Sequence, residues 1–376
     1  MHIAVLAETR DGESRVAATP DSVKALIKAG AEITVQKGAG ERAAYPDAAY
    51  EAAGAKLATR AAAVKGADAL FCVRRPDDET LKRLKNGAMV IGLLEPHGAT
   101  DFAQACADAK VDALAMEYTP RITRAQAMDA LSSQSNLSGY RAVIEAAELY
   151  GRAFPMMMTA AGTIAPAKAF VMGAGVAGLQ AIATARRLGA VVSATDVRPA
   201  AKEQVGSLGA KFVAVEDDEF KEAETAGGYA REMSDAYKAK QAELVASHIA
   251  KQDIVVTTAL IPGRPAPRLI DKTMVESMRP GSVIIDIAAA NGGNCELTEP
   301  DKVVDHNGVK IAGFTNLPAR LAADSSQLLA KNLVNLFPLL VGEDAAFAPH
   351  WDDEVIKGMA LTKDGAIIHP SLTGDA

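Results

Sequence analysis

With 376 residues the chain exceeds what one hydrophobic core usually supports, so its length predicts two domains. A formal net charge of −7 argues against a nucleic-acid partner, which requires a basic surface. The cysteines, Cys72, Cys106 and Cys295, are widely spaced and no Cys/His cluster accompanies them, so we predict neither disulfides nor a metal site and expect a reducing cytoplasm.

The N-terminal third of the chain alternates short apolar runs with helical patterns, which predicts an α/β domain with a parallel sheet. Charged Glu8 and Arg10 follow the N-terminal apolar run too closely for a secretory signal. Thr19 is expected to cap a helix that has Pro20 at its first position. The predicted strands are residues 2–6, 32–36, 69–73, 88–94 and 112–116.

The middle of the chain repeats this alternation, with the six strands of a complete dinucleotide-binding fold. The predicted strands are residues 169–173, 191–195, 211–215, 253–260, 282–288 and 309–314. Residues 153–185 are apolar except for Lys168, but glycines and prolines interrupt them, so we predict no transmembrane helix and no direct membrane insertion.

Two long helices, at 135–154 and at about 320–340, are expected to cross between the domains. The chain then returns to the first domain and ends in a hairpin that turns at residues 363–365. The predicted fold class is therefore α/β, with two Rossmann-like domains that have parallel sheets and are joined by long crossing helices. The predicted boundaries are 1–133 plus 319–376 for the first domain and 134–318 for the second.

The strongest chemical signal is the motif GAGVAG, from Gly173 to Gly178. It follows an apolar strand and precedes a helix, so Gly173 is expected to form the tight turn, Gly175 to let the backbone approach a pyrophosphate, and Gly178 to permit close helix–strand packing. Free N–H groups at the helix start then face the phosphates. The alternative is a glycine-rich turn without a ligand.

An acidic residue after the next strand decides which nucleotide fits. Asp196 lies 18 residues after Gly178, where a carboxylate is expected to accept hydrogen bonds from the adenosine ribose. It would repel the 2′-phosphate of NADP, so the sequence favours NAD. Arg198 is the opposing observation, because an arginine here is able to bind that phosphate.

Residues 120–136, PRITRAQAMDALSSQSN, form a second unusual segment. If they are helical, Gln126, Asp129 and Ser133 share one face, beside an apolar face that includes Met128. The spacing alone favours the other interpretation, a polar, capped linker that leads into the long helix.

Several long runs resemble the NAD(H)-binding component of proton-translocating transhydrogenases. The runs are PRITRAQAMDALSSQSNLSGYRAVIEAA, FPMMMTAAGTIAPAKAFVMGAGVAGLQAIATARRLGAVVSATDVRPA, AGGYAREM, TTALIPGRPAP, RVAATP and DGAIIHP. They extend close to both ends of the chain and are far more specific than the glycine motif.

The resemblance implies roles for individual residues. Arg121, Asp129 and Ser132 are expected to hold the nicotinamide carboxamide and ribose of NAD(H), and Gln126 to reach toward the nicotinamide of NADP(H) on a partner. Tyr229 matches the tip of a closing loop, although residues 216–240 alone describe an acidic, glycine-broken surface segment. The remaining expected nucleotide contacts are Met128, Val176, Ala177, Asp196, Val197, Arg198, Gly228, Gln241 and Leu260.

The implied chemistry is direct hydride transfer between two nicotinamide rings. No substrate proton moves in that step, so ring positioning and exclusion of water are required and a general acid or base is not. The resemblance also implies a homodimer on the cytoplasmic face of the membrane. Its expected partners are membrane-spanning subunits, which translocate protons, and a subunit that binds NADP(H).

Alanine dehydrogenase is a related family and the main alternative. Arg15 matches an arginine that binds the substrate carboxylate there, although it also fits a surface or fold-supporting role. The family's lysine falls on Cys72, its histidine near Leu93, with His97 close by, and its aspartate on Ala290, so the acid/base groups are missing. A non-enzymatic NAD(H) sensor is the third hypothesis.

Overall fold

The computed structural model describes residues 1–221 and 233–374, and the chain divides into two units. The first unit contains Met1–Gln134 and Pro318–Ala376, and the second contains Ser135–Leu317. The chain therefore leaves the first unit near residue 134 and returns to it at residue 318.

Strands and helices alternate through the N-terminal portion of the first unit. They are β1 (His2–Val5), α1 (Pro20–Lys28), β2 (Glu32–Gln36), α2 (Asp47–Ala52), β3 (Lys56–Ala58), α3 (Arg60–Val64), β4 (Ala69–Phe71), α4 (Asp78–Arg83), β5 (Met89–Gly92), α5 (Thr100–Asp108) and β6 (Asp112–Ala115). Helix α1 begins as predicted. The Thr19 side chain accepts the Ser22 N–H, the Ser22 side chain accepts the Thr19 N–H, and Pro20 is the first helical residue.

Helix α6 (Ala130–Tyr150) leads into the second unit. The elements that follow are β7 (Met157–Thr159), β8 (Gly162–Ile164), β9 (Lys168–Met172), α7 (Val176–Arg187), β10 (Val191–Thr195), α8 (Ala201–Ser207), β11 (Lys211–Phe212), α9 (Asp218–Lys221), α10 (Asp235–Ile249), β12 (Ile254–Thr257), α11 (Lys272–Ser277), β13 (Val283–Asp286), β14 (Val303–His306) and β15 (Val309–Ala312).

The C-terminal segment completes the first unit. Its elements are α12 (Ala322–Leu336), α13 (Glu354–Met359), β16 (Ala360–Lys363), β17 (Ala366–Ile367) and α14 (Pro370–Thr373). The expected terminal hairpin is present, because β16 and β17 pair antiparallel around Asp364 and Gly365, which have φ of 50° and 79°.

Both main sheets have the Rossmann strand order. The first is β17-β16-β6-β5-β4-β1-β2-β3 and the second is β11-β10-β9-β12-β13-β15-β14. Strands β1–β6 run parallel, as do β9–β13 and β15, and the antiparallel strands β14, β16 and β17 lie toward one end of each sheet. The order reverses between β1 and β4 and between β9 and β12, and ligands bind at such switch points in this fold.

Parallel strands buried on both faces explain the continuous apolar runs in the sequence. In β1, Ile3 and Val5 belong to one core cluster, whereas Ala4 belongs to the other. In β9, Val171 and Phe170 likewise point into separate clusters. Each sheet is therefore a middle layer between helices.

Three strand regions differ from the prediction. The short edge strand β3 and the partly exposed edge strand β14 were not predicted, because neither has a strong apolar pattern. Residues 157–164 form the separate hairpin β7–β8. The apolar run at 153–185 thus becomes this hairpin, β9 and α7, and no helix within the described residues is long and apolar enough to span a membrane.

A buried ion pair stabilises the N-terminal portion of the first unit. Glu13 is 0% exposed and Arg15 is 2% exposed. The Arg15 guanidinium donates to both Glu13 carboxylate oxygens, at 2.7 and 2.6 Å, and to Gln134 Oε1 at 2.8 Å. Arg74 Nε lies 3.0 Å from Glu13. Burial by itself would raise the pKa of Glu13, but Arg15 and Arg74 outweigh it and lower that pKa to about 2.

We predict that Glu13→Gln lowers the free energy of unfolding by roughly 3–5 kcal/mol at pH 7, because Arg15 loses its buried counter-charge. The wild-type advantage is complete above the unfolded pKa of 4.5 and is lost as pH falls toward 2. Urea unfolding at pH 7, 4 and 3 measures both effects. Glu299→Gln, which removes an exposed carboxylate, is the control. Equal unfolding midpoints for Glu13→Gln and Glu299→Gln at pH 7 would contradict the assignment.

Candidate nucleotide-binding site

The predicted phosphate-binding turn joins β9 to α7 in the second unit. Gly173 has a φ of +104°, and Gly175 is the N-cap of α7, with no side chain capping the helix. The free N–H groups of the first helical turn are those expected to face a pyrophosphate. Helix α7 begins at Val176, within the glycine motif that was expected to precede it.

The three glycines of the motif are required for different reasons. A Cβ on Gly178 would lie 1.8 Å from the Gly173 carbonyl oxygen, and a Cβ on Gly173 would lie 2.5 Å from Thr258 Oγ1. A Cβ on Gly175 would have nothing within 4 Å. Gly173 and Gly178 therefore permit packing within the protein, whereas Gly175 borders open space at the helix start.

The acidic residue predicted to bind ribose is held against this turn. Asp196 follows β10, and its Oδ2 accepts the Ala174 N–H at 2.7 Å. Its Oδ1 accepts the backbone N–H of Arg198 at 2.8 Å. The Asp196 side chain is 7% exposed and forms an ion pair with the Arg198 guanidinium. The fold thus brings together the predicted turn and the predicted ribose-binding residue.

Gln241 and Leu260, also expected at the nucleotide, come from more distant segments of the second unit. Gln241, in α10, donates to Thr195 Oγ1 at 3.1 Å, immediately beside Asp196. Leu260 follows β12 and is 50% exposed. Gly228 and Tyr229 lie outside the described residues.

Residues after β12 also contact the phosphate-binding turn. The sequence analysis did not identify them as site residues. Thr258 Oγ1 donates to the Gly173 carbonyl at 3.1 Å. The next residue, Ala259, exchanges hydrogen bonds with the Asn294 side chain, at 3.0 and 2.9 Å. The apolar run through residue 260 was predicted as continuous strand, so the end of β12 at Thr257 was missed.

The buried carboxylate of Asp286 fixes the segment that contains Asn294. Asp286 is 0% exposed, and its oxygens accept five protein donors: Thr257 Oγ1 at 3.0 Å, Ala288 N at 3.0 Å, Asn294 N at 2.7 Å, Cys295 N at 3.0 Å and Thr298 Oγ1 at 2.7 Å. A buried charge needs such donors. Asp286 therefore fixes Asn294, and through it the backbone that follows Thr258.

Helix α6 approaches the start of α7 through another glycine. A Cβ on Gly139 would lie 2.0 Å from the Ala177 carbonyl oxygen. A glycine inside a helix is unfavourable by about 1 kcal/mol, and a packing requirement of this kind explains it. Gly139 within the predicted long helix was therefore the sequence feature that could have indicated this close packing against α7.

The residues expected at the nicotinamide end, Arg121 to Ser132, lie in the first unit. Their backbone differs from the single helix considered in the sequence analysis. Residues 123–128 form a 3₁₀ helix, Asp129 is extended (φ −70°, ψ 91°), and α6 starts at Ala130. The segment is therefore not one continuous helix, and its backbone is that of a capped linker into α6. A short polar side chain at position 129 competes with helical backbone and favours such a break.

Individual side chains in this group have different environments. Asp129 accepts the Ser132 N–H at 2.9 Å and the Ser132 hydroxyl at 2.5 Å, which caps the start of α6. Arg121 and Gln126 are exposed, whereas Met128 is 9% exposed and packs in the core. Two amides, from Asn332 and Asn335, donate to the Ala127 carbonyl, so the segment is anchored on α12.

The positions that correspond to alanine dehydrogenase groups offer no acid or base. Cys72 is buried, its thiol lies 3.5 Å from the Ile91 carbonyl oxygen, and burial raises its pKa. Leu93 is 6% exposed. The Arg15 guanidinium donates hydrogen bonds to Glu13 and Gln134. Arg15 therefore supports the fold, and the alternative of a surface arginine is wrong.

Comparisons with known proteins agree with this geometry. The description "Alanine dehydrogenase/PNT, N-terminal domain" matches residues 4–138, and "Alanine dehydrogenase/PNT, C-terminal domain" matches residues 142–370. The chain belongs to the alanine dehydrogenase/PNT family. The predicted α/β class with two Rossmann-like domains is confirmed.

Within the family the transhydrogenases are the nearer group. A Rhodospirillum rubrum protein, named as the first portion of NAD(P) transhydrogenase subunit alpha, is 53% identical over 381 residues, covering 100% of this chain and 99% of that protein. The crystal structure of transhydrogenase from Sinorhizobium meliloti is 53% identical with a TM-score of 0.90, covering 98% of this chain and 100% of that chain. Alanine dehydrogenase of Mycobacterium tuberculosis is 29% identical over 392 residues, covering 100% of this chain and 96% of that protein. The resemblance to transhydrogenase is confirmed.

The glycine geometry generates a matched pair of variants. Gly175→Ala should fold with normal thermal stability, because its Cβ meets open space, yet bind NADH about tenfold or more weakly, since the methyl group blocks approach to the pyrophosphate. Gly178→Ala should lower stability by about 1–3 kcal/mol, because its Cβ overlaps the Gly173 carbonyl. Thermal denaturation and NADH fluorescence titration separate the two. Wild-type NADH affinity in Gly175→Ala would contradict the assigned turn.

Proposed function

We propose that the chain is the NAD(H)-binding subunit of a proton-translocating NAD(P) transhydrogenase. The observation that supports this most strongly is the phosphate turn joined to Asp196 in a chain similar to transhydrogenase alpha subunits over its whole length. The second unit binds NAD(H), with the pyrophosphate at the start of α7 and the adenosine ribose at Asp196.

The nucleotide preference follows from charge. Asp196 is nearly buried beside the turn, where its carboxylate would repel a 2′-phosphate. We therefore propose that this chain binds NAD(H) and that a partner subunit binds NADP(H). The proposed remaining contacts are Val176, Ala177, Val197, the backbone of Arg198, Gly228, Tyr229, Gln241 and Leu260.

The first unit contributes the residues proposed for the nicotinamide end. Arg121, Asp129 and Ser132 bind the carboxamide and ribose, and Gln126 reaches toward the second nicotinamide. The proposed role of Met128 fits its backbone better than its buried side chain. Asp129 already caps α6, so the first turn of that helix also determines where its carboxylate lies.

The reaction supported by these residues is hydride transfer from NADH to NADP⁺ held on the partner. The nicotinamide rings supply the hydride chemistry when bound. The protein has to orient the rings and exclude water, so the absence of an acid or base at positions 72 and 93 is compatible with the reaction. Oxidation of an amino acid would need those groups.

Proton translocation is proposed to belong to membrane-spanning partner subunits, with this chain on the cytoplasmic face of the membrane. We also propose that the chain is a homodimer. The β7–β8 hairpin and the residue before it offer apolar side chains that suit a second copy, because Met156, Met157, Met158 and Ile164 are 60%, 46%, 78% and 42% exposed.

Gln126→Asn tests the assignment of the nicotinamide end. Shortening this exposed side chain by one methylene should leave NADH affinity nearly unchanged and slow hydride transfer to NADP analogues by on the order of a hundredfold, because the rings are misplaced by roughly an ångström. Stopped-flow single turnovers with an NADP(H)-binding partner measure the rate, and equilibrium titration measures affinity.

Gln104→Asn, the same truncation on an exposed residue of α5, is the matched control and should transfer hydride at the wild-type rate. If Gln126→Asn also transfers at that rate, residues 121–132 only cap and anchor α6, and the proposal reduces to NAD(H) binding. A pure NAD(H) sensor would show no transfer with any variant.

A further inference from the structure

The carboxylate of Asp196 already accepts several hydrogen bonds from the protein. Its oxygens accept four N–H groups: Ala174 N on Oδ2, Arg198 N on Oδ1, Arg198 Nε on Oδ1 at 2.9 Å, and Arg198 Nη2 on Oδ2 at 3.0 Å. A carboxylate offers about four lone-pair positions. Two ribose hydroxyls would bring the donors on Asp196 to six, more than the five that the oxygens of Asp286 accept, so the hydroxyls compete with the donors already present.

Only one of these donors is able to leave without unfolding the turn. The N–H groups of Ala174 and Arg198 belong to the backbone that shapes the phosphate turn and the residues after β10. The guanidinium, by contrast, is at the end of a flexible side chain that is 33% exposed. It also occupies one position on each oxygen, as two neighbouring ribose hydroxyls would.

We propose that Arg198 is a built-in competitor for the adenosine ribose, and this inference rests on the proposed NAD(H)-binding function. In the structure the guanidinium pairs with the nearly buried Asp196, which would be costly to leave unpaired. On NADH binding the 2′- and 3′-hydroxyls replace it. On release it returns, so Arg198 lowers the affinity for NADH and speeds its dissociation.

The same exchange contributes to nucleotide selection. NADPH lacks the free 2′-hydroxyl, so it supplies only one of the two donors needed to replace the guanidinium. Its 2′-phosphate also brings negative charge toward Asp196. Removing Arg198 should therefore favour NADH and give NADPH no comparable gain.

Arg198→Gln tests the competition directly. The wild-type protein and the variant are titrated with NADH, with NADPH and with an NADH analogue whose adenosine ribose lacks both hydroxyls, and NADH dissociation is measured by stopped flow. Arg279→Gln is the control, because Arg279 is an exposed arginine of the same unit and its loss changes the net charge equally. Thermal denaturation verifies that each variant is folded.

Relative to Arg279→Gln, we expect Arg198→Gln to bind NADH about three- to fivefold more tightly and to release it more slowly by a similar factor. The analogue without hydroxyls should show no gain, and neither should NADPH. Arg198→Lys, whose ammonium cannot form the two-point contact, should fall between wild type and Arg198→Gln.

Weaker NADH binding by Arg198→Gln than by Arg279→Gln would overturn the inference, because Arg198 would then hold the nucleotide itself. Equal gains for NADH and for the analogue without hydroxyls would overturn it too. In both cases the wild type still binds NADH and the proposed function stands. No NADH binding by the wild type would remove both.

Discussion

The hydrogen bond from the Ala174 N–H to Asp196 Oδ2 joins the two halves of the proposed nucleotide site. Ala174 belongs to the turn that faces the pyrophosphate, and Asp196 ends the neighbouring strand, where the ribose is proposed to bind. The bond requires β9 and β10 in parallel register, with Met172 opposite Thr195, and it requires Gly173 at positive φ. Nucleotide geometry in the second unit thus depends on one contact between two strand ends.

Sequence alone predicted the features of this arrangement that depend on local chemistry. The glycine turn, the Thr19 cap and the terminal hairpin each follow from residues a few positions apart. The sequence left two interpretations of residues 120–136 open, because an i, i+3, i+7 pattern does not distinguish a continuous helix from a 3₁₀ turn followed by a new helix. Edge strands such as β3 were missed because they bury little apolar surface.

Contacts between distant residues could not be predicted from the pattern. Glu13 pairs with Arg74 between the segments that follow the adjacent strands β1 and β4, and Asp286 accepts hydrogen bonds from Thr257 and Thr298 in the second unit. The hydrophobic periodicity of the sequence does not predict these ion-pair and hydrogen-bond partners, because the strand order brings them together. The pairing of the Arg198 guanidinium with Asp196 is local, yet it depends on a side-chain conformation that only the structure gives.

The central claim is that this chain takes part in hydride transfer between two nucleotides. The most direct test mixes it with an NADP(H)-binding transhydrogenase component, NADH deuterated at the transferred C4 position, and NADP⁺ in ordinary water. Mass spectrometry of the products then follows the label. We predict deuterated NADPH, formed only when both proteins are present and without loss of label to water. Absence of label in NADPH, or its release into water, would contradict direct transfer.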